Sequence, residues 1–163
     1  MDRQPSFESE LVALLPRLRR FAFSLSRSPA DADDLAQATI ERALRSRDQW
    51  QAGTRLDSWL YRIARNLWID TGRSRSRKEK FEAPPEAADG IGEDGGIEAS
   101  VELSRMMGAM QKLPDEQREV VSLILIEGFG YREAAELLDV PIGTVSSRLV
   151  RGRNALLELV GEL

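Results

Sequence analysis

Neither cysteine nor histidine occurs among the 163 residues. Their absence excludes disulfides, zinc sites built on Cys or His, thiol nucleophiles and histidine general bases. No apolar run approaches the roughly 20 residues that a membrane span needs, and the first ten residues, MDRQPSFESE, lack the hydrophobic core of a signal peptide. The expectation is a soluble, cytoplasmic protein without membrane insertion. The carboxylates gather at helix starts and in one acidic segment, with no pair set beside a nucleophile, so neither an enzyme active site nor a cofactor or metal site is expected. Aromatics make up only 6% of the chain, yet all three tryptophans, Trp50, Trp59 and Trp68, fall in one short stretch.

The charge is distributed unevenly. Residues 1–80 hold 16 Lys and Arg against 11 Asp and Glu, residues 81–98 hold six acids and no base, and residues 99–163 hold 7 bases against 10 acids. The overall net charge of −4 therefore averages a basic front half, an acidic middle and a mildly acidic back half. The middle segment, FEAPPEAADGIGEDGGIE, has two Pro, four Gly and few large apolar groups, and reads as a tether that cannot bury enough surface to order itself. A flexible chain of that length has a root-mean-square span of about 23 Å and a stretched reach near 60 Å. Two small domains, 1–80 and 99–163, follow.

Apolar periodicity predicts an all-α protein, with helices near 7–26, 30–46 and 55–76 before the tether and 98–112, 115–127, 131–138 and 142–160 after it. Pro16 is expected to kink or divide the first helix. The second starts at Ser28 as N-cap, with Pro29 at the first helical position and Asp31 three residues on, a weaker form of the capping box.

The segment YREAAELLDVPIGTVSSRLVRGR at 131–153 reads as a helix-turn-helix. Ala134, Ala135, Leu137 and Leu138 are the buried side of its first helix, Asp139 and Val140 make the turn, and Pro141 suits the first position of a new helix. At about 100 degrees per residue, Val145, Leu149, Gly152 and Leu156 form one stripe, opposite Thr144, Ser147, Arg151 and Asn154. Between positions 142 and 154 the charges are Arg148, Arg151 and Arg153, with no acid. A basic polar face of this kind suits the major groove, where arginines hold phosphates or fork onto guanine. The plainer alternative is a solvated amphipathic helix in an ordinary bundle.

The helix at 55–76 interleaves aromatics with arginines at 55, 62, 65, 73, 75 and 77. Aromatic faces stack unpaired bases at roughly 1–3 kcal/mol per base while arginines neutralise the strand. On the wheel Leu56, Leu60, Ile63 and Leu67 make the core stripe, and Arg55, Ser58, Arg62, Arg65 and Asn66 share an adjacent polar face. Trp59 lies on the boundary and could serve either side; Tyr61 and Trp68 read as packing groups. The acids Asp31, Asp33 and Asp34 at the start of the second helix are explained in part by the helix dipole, with a partner surface as the sharper alternative.

Taken in order, DADDLAQATIERAL, LDSWLYRIARNLWID, the acidic linker, LPDEQREVVSL and GYREAAELLDVPIGTVSSRLVRGRNAL resemble the bacterial group IV, or extracytoplasmic-function, sigma factors over nearly the whole chain. The segment LVALLPRLRRFAFSLSRSPADADDL is also similar to the alphaproteobacterial general-stress subgroup. The resemblance implies an alternative sigma factor that binds core RNA polymerase and promoter DNA, in a stress or envelope response controlled by a cognate anti-sigma factor. It implies that Asp33, Asp34, Leu35, Gln37 and Arg42 dock on core polymerase. The loop at 49–55 and the following helix, with Arg55, Ser58, Trp59, Arg62, Arg65 and Asn66, would open and read the minus-ten box. The recognition helix, through Thr144, Ser146, Ser147, Arg148, Arg151 and Arg153, would read the minus-thirty-five box. Many members carry Arg where this chain has Ser146, which bears on the sequence read.

Two other classes fit parts of the pattern. A conventional helix-turn-helix repressor or activator would need a dimerisation surface or a ligand domain, and would leave the clustered aromatics unexplained. A sigma-like adaptor would keep the fold without initiating transcription, a distinction that only a transcription assay draws.

Overall fold

A computed structural model describes residues 5–78 and 97–161, and side chains outside 73–78 and 97–100 within those spans. The expected tether therefore lies, over 81–96, outside the described residues, as do the side chains of Arg73, Arg75 and Arg77. The chain divides into two compact units, Met1–Glu86 and Ala87–Leu163. Every regular element among the described residues is helical, as the periodicity predicts.

The first unit is built from α1 (Phe7–Ser26), α2 (Pro29–Arg45) and α3 (Leu56–Lys78), with a short 3-10 turn at Arg47–Gln49 between the last two. Helix α1 starts where the Ser6 hydroxyl accepts the Ser9 N–H at 3.2 Å, and ends at Arg27, whose φ of 61° puts it in the left-handed region. Pro16 does not divide it. The proline ring lies on the exposed side, so the carbonyl it leaves without an amide partner can turn to water and the helix runs through. Helix α2 starts as expected: the Ser28 hydroxyl accepts the Asp31 N–H at 3.3 Å and Pro29 occupies the first turn. Its buried side is Ala32, Leu35, Ala36, Thr39 and Ala43, mostly small residues that let neighbouring helices approach closely. The Thr39 hydroxyl, fully buried, donates to the Leu35 carbonyl at 2.7 Å.

Helix α3 packs against both α1 and α2 and therefore buries a wider arc than one stripe. Leu56 and Leu60 are buried as predicted, but Ile63 and Leu67 are only half-buried, and Tyr61 and Ala64 take their places in the core. Tyr61 stacks on Phe21 with ring centroids 4.4 Å apart and planes within 6°, and the Arg17 guanidinium lies 5.8 Å from the tyrosine ring centre.

The second unit contains α4 (Ile97–Gln111), α5 (Asp115–Val121), α6 (Tyr131–Leu138) and α7 (Ile142–Gly161). The single helix expected at 115–127 is α-helical only to Val121, then widens into a π turn at Ser122–Ile126 in which the Glu127 N–H reaches back five residues to the Ser122 carbonyl. Arg118 is a buried cation of α5, satisfied by the Leu113 carbonyl at 3.0 Å and the Asp115 carboxylate at 2.7 Å. Helix α6 starts at Gly130, whose N–H donates to Glu133 Oε1, the returning half of a capping box. Its buried residues are the predicted Ala134, Ala135, Leu137 and Leu138.

Asp139 makes the turn with a φ of 55°. Pro141 stands one position earlier than expected: its carbonyl accepts from both Thr144 and Val145, which makes it the cap and Ile142 the first helical residue. Val145, Leu149, Gly152 and Leu156 are all buried, the stripe drawn from the sequence.

Candidate nucleic-acid interface

In the second unit, burial of that stripe turns the opposite side of α7 outward. Ser147, Arg151 and Asn154 are exposed, Thr144 is half-buried at one edge, and the Ser147 hydroxyl donates to the Thr144 carbonyl at 3.2 Å. Ser146 is half-buried and Arg153 exposed on the other flank. The third arginine differs. Arg148 Nη2 lies 3.7 Å from Glu116 Oε1 of α5, and only 21% of its side chain is exposed. The sequence places no acid within the recognition segment, yet the fold supplies one from another helix, so Arg148 presents less positive charge to a phosphate than Arg151 or Arg153.

In the first unit the predicted minus-ten residues fall into two neighbouring groups. Trp59 and Asn66 line an open cleft of about 150 Å³ together with Arg42, Gln49, Ile63 and Asp70. The cleft joins the end of α2 to α3, and so brings Arg42, expected on the polymerase face, next to residues expected on the strand. Trp59 is half-buried, and Phe7 meets it edge-on at 6.2 Å. Phe7 also tilts against Trp50 at 5.6 Å, with the Arg47 guanidinium over the Phe7 ring, 4.8 Å from its centre, and Glu8 paired to Arg47 at 2.7 Å. The start of α1 thus braces the turn that leads into the 49–55 loop.

The second group surrounds Asp57. Arg55 donates Nε to Oδ1 at 3.1 Å and Nη2 to Oδ2 at 2.9 Å, Arg17 Nη2 donates to Oδ2 at 3.1 Å, and the Ser58 N–H donates to Oδ1 at 2.8 Å. Burial alone would raise the Asp57 carboxyl, but the Arg55 fork, the Ser58 amide and Arg17 outweigh it and hold the group below the ordinary carboxylate range. Ser58 is half-buried, Arg62 and Asn66 are exposed and Arg65 is half-buried, so the polar face of α3 is largely open to solvent.

On α2, Asp34, Gln37 and Arg42 are exposed, and Asp33 is 70% exposed with its carboxylate 3.7 Å from Arg19. Leu35 is not on that surface. It is 6% exposed and faces the core, so the expected docking set loses one direct member and keeps it as support from beneath. Asp57, Phe7 and Arg47 were not singled out from the sequence. An acid in the first turn of a helix reads there as dipole compensation, and no local pattern pairs Phe7 with Trp50, 43 positions away along the chain.

Residues 11–78 match the Sigma-70 region 2 family and residues 103–156 match the Sigma-70, region 4 family. The chain is 38% identical over 160 residues to the ECF RNA polymerase sigma factor EcfG of Rhodopseudomonas palustris strain TIE-1, covering 98% of this chain and 88% of that one. It is 40% identical over 157 residues to the ECF RNA polymerase sigma factor SigE of Mycolicibacterium smegmatis, covering 93% of this chain and 60% of that one. Among solved structures, the sigma factor RpoE of Bartonella quintana, crystallised with the anti-sigma factor NepR, aligns with a TM-score of 0.84 at 35% identity over 95% of this chain and 96% of that one. With a matching unit on each side of the acidic segment and exposed arginines on α7, the chain belongs to the extracytoplasmic-function RNA polymerase sigma factors.

Proposed function

We propose that this chain is an alternative sigma factor that binds core RNA polymerase in the cytoplasm and directs it to a defined promoter set, under the control of an anti-sigma factor. The observation that carries the reading is the pairing, in one chain, of two surfaces suited to different forms of DNA. Ser147, Arg151 and Asn154 present a short polar face that fits a major groove. Arg55, Arg62, Arg65 and Asn66, with Trp59 at their edge, present guanidinium groups and an aromatic that fit a single strand. A repressor needs only the first surface. A factor that opens a promoter needs both, the first to hold duplex and the second to capture the strand released by melting.

Core docking is assigned to the exposed side of α2, through Asp33, Asp34, Gln37 and Arg42. Control by an anti-sigma factor is assigned from the likeness to the Bartonella sigma factor, which was crystallised with one. The chain contributes recognition, and the chemistry of transcription belongs to the polymerase.

Run-off transcription with purified core polymerase tests the reading. Promoters are selected by incubating the reconstituted holoenzyme with fragmented genomic DNA. Initiation at a discrete set of start sites, absent with core enzyme alone, is the expected result. Binding to core polymerase without initiation on any fragment would favour the adaptor reading instead.

A further inference from the structure

We infer that Asp57 is a positioning residue, which fixes the plane of the Arg55 guanidinium before a DNA strand arrives; this rests on the reading of Arg55 as a contact to the minus-ten strand. Arg55 is the residue at which α3 begins, since its carbonyl accepts the Trp59 N–H at 3.3 Å. Its side chain is 46% exposed, whereas that of Asp57 is 11% exposed. The two form a fork in which both carboxylate oxygens take an N–H of the same guanidinium, and such a pair fixes a plane where a single contact fixes only a distance. Asp57 is itself held in place by the Ser58 N–H at 2.8 Å and by Arg17 at 3.1 Å. Arg17 leads inward, over the Tyr61 ring that stacks on Phe21. An exposed guanidinium is thereby tied, through one buried carboxylate, to the centre of the unit.

The charges support a role beyond holding the fold. One arginine would neutralise Asp57, and Arg17, half-buried on α1, is placed to do so. With Arg55 added, two guanidinium groups meet this one carboxylate at the N-terminus of α3, where the helix dipole also favours an anion. An arginine immobilised in advance gives up less side-chain freedom when it meets a phosphate, so binding keeps more of the contact energy.

A double-mutant cycle in the full chain tests this, read as affinity for a pool of random single-stranded DNA, with melting followed by circular dichroism. Asp57→Asn keeps the shape and the acceptor for Ser58 but removes the anion. On charge alone it should tighten DNA binding, because it makes the site more positive. Positioning gives the opposite sign: a loss of about three- to tenfold, the range expected from releasing one long side chain, and no further loss when Arg55 is already Ala. Equal effects of Asp57→Asn in both backgrounds, or tighter binding, would overturn the proposal while leaving Arg55 as a strand contact. Unchanged binding of Arg55→Ala would overturn the contact reading and the proposal with it. Should Asp57→Asn melt below the assay temperature, Arg55→Lys decides: it keeps the charge but cannot fork, so it is expected to lose most of what Arg55→Ala loses, and affinity equal to the unsubstituted chain would reject the inference.

Discussion

Gly152 of α7 lies so close to Val121 of α5 that a Cβ added to the glycine would stand 2.7 Å from Val121 Cγ2 and 3.3 Å from both Cβ and the carbonyl oxygen of Gln117. The two helices meet through a residue with no side chain, beneath the face that carries Arg151 and Arg153. Gly152→Ala is therefore expected to push α7 off its support, although alanine is the better helix former. A loss of about 1–3 kcal/mol is expected from overpacking of this kind, read as a lower urea midpoint for the second unit. A gain in stability, as helix propensity alone predicts, would show that α7 shifts freely on α5.

The three arginines of α7 should separate by position. Arg151 stands about 240 degrees around the helix from Val145, near the middle of the exposed face. Arg151→Ala is expected to cost roughly 1–3 kcal/mol on the preferred minus-thirty-five duplex and to relax discrimination at one base pair. Arg153→Ala should weaken all duplexes alike and lower the salt slope by about 0.9. Arg148→Ala should weaken binding less than Arg153→Ala, because Glu116 already offsets its charge. Affinities over a duplex library at several salt concentrations check all three, and a uniform loss for Arg151→Ala would make it a positioning contact only.

Leu35 and its neighbours on α2 should fail in different ways. The double variant Asp33→Lys, Asp34→Lys leaves the core untouched and is expected to weaken assembly with core polymerase while melting changes little. Leu35→Ala empties a buried site and should cost about 2–5 kcal/mol of stability, with assembly reduced only as far as the unit unfolds. Unchanged assembly of the double lysine variant in moderate salt would remove this face from the interface.

Phe7 contacts two of the three tryptophans, which makes the brace at the start of α1 visible by fluorescence. Phe7→Ala should shift tryptophan emission to the red as Trp50 and Trp59 gain water, and should cost about 0.5–1.5 kcal/mol for each of its two ring pairs beyond the apolar area uncovered. Preference for single strands over duplex should fall with it if the brace holds the 49–55 loop in shape. An unshifted spectrum would mean that the tryptophans do not depend on Phe7 for cover.

The sequence alone determined what depends on near neighbours along the chain. Ser28 and Pro29 start α2 because capping involves residues two or three apart. Val145, Leu149, Gly152 and Leu156 were placed inside, and Ser147, Arg151 and Asn154 outside, because a helix repeats its faces every few residues whatever it packs against. The order of motifs carried the family. Tertiary structure decided whatever depends on how many partners a helix has and where distant side chains meet. Ala64 joined Tyr61, already read as a packing group, in the core of α3 while Ile63 and Leu67 stayed half-buried, because α1 and α2 both pack on it and a wheel drawn for one helix does not count its neighbours. Arg148 acquired Glu116, Asp57 acquired Arg17 and Trp50 acquired Phe7 across separations of 32 to 43 positions, distances over which only folding can bring charge to charge and ring to ring.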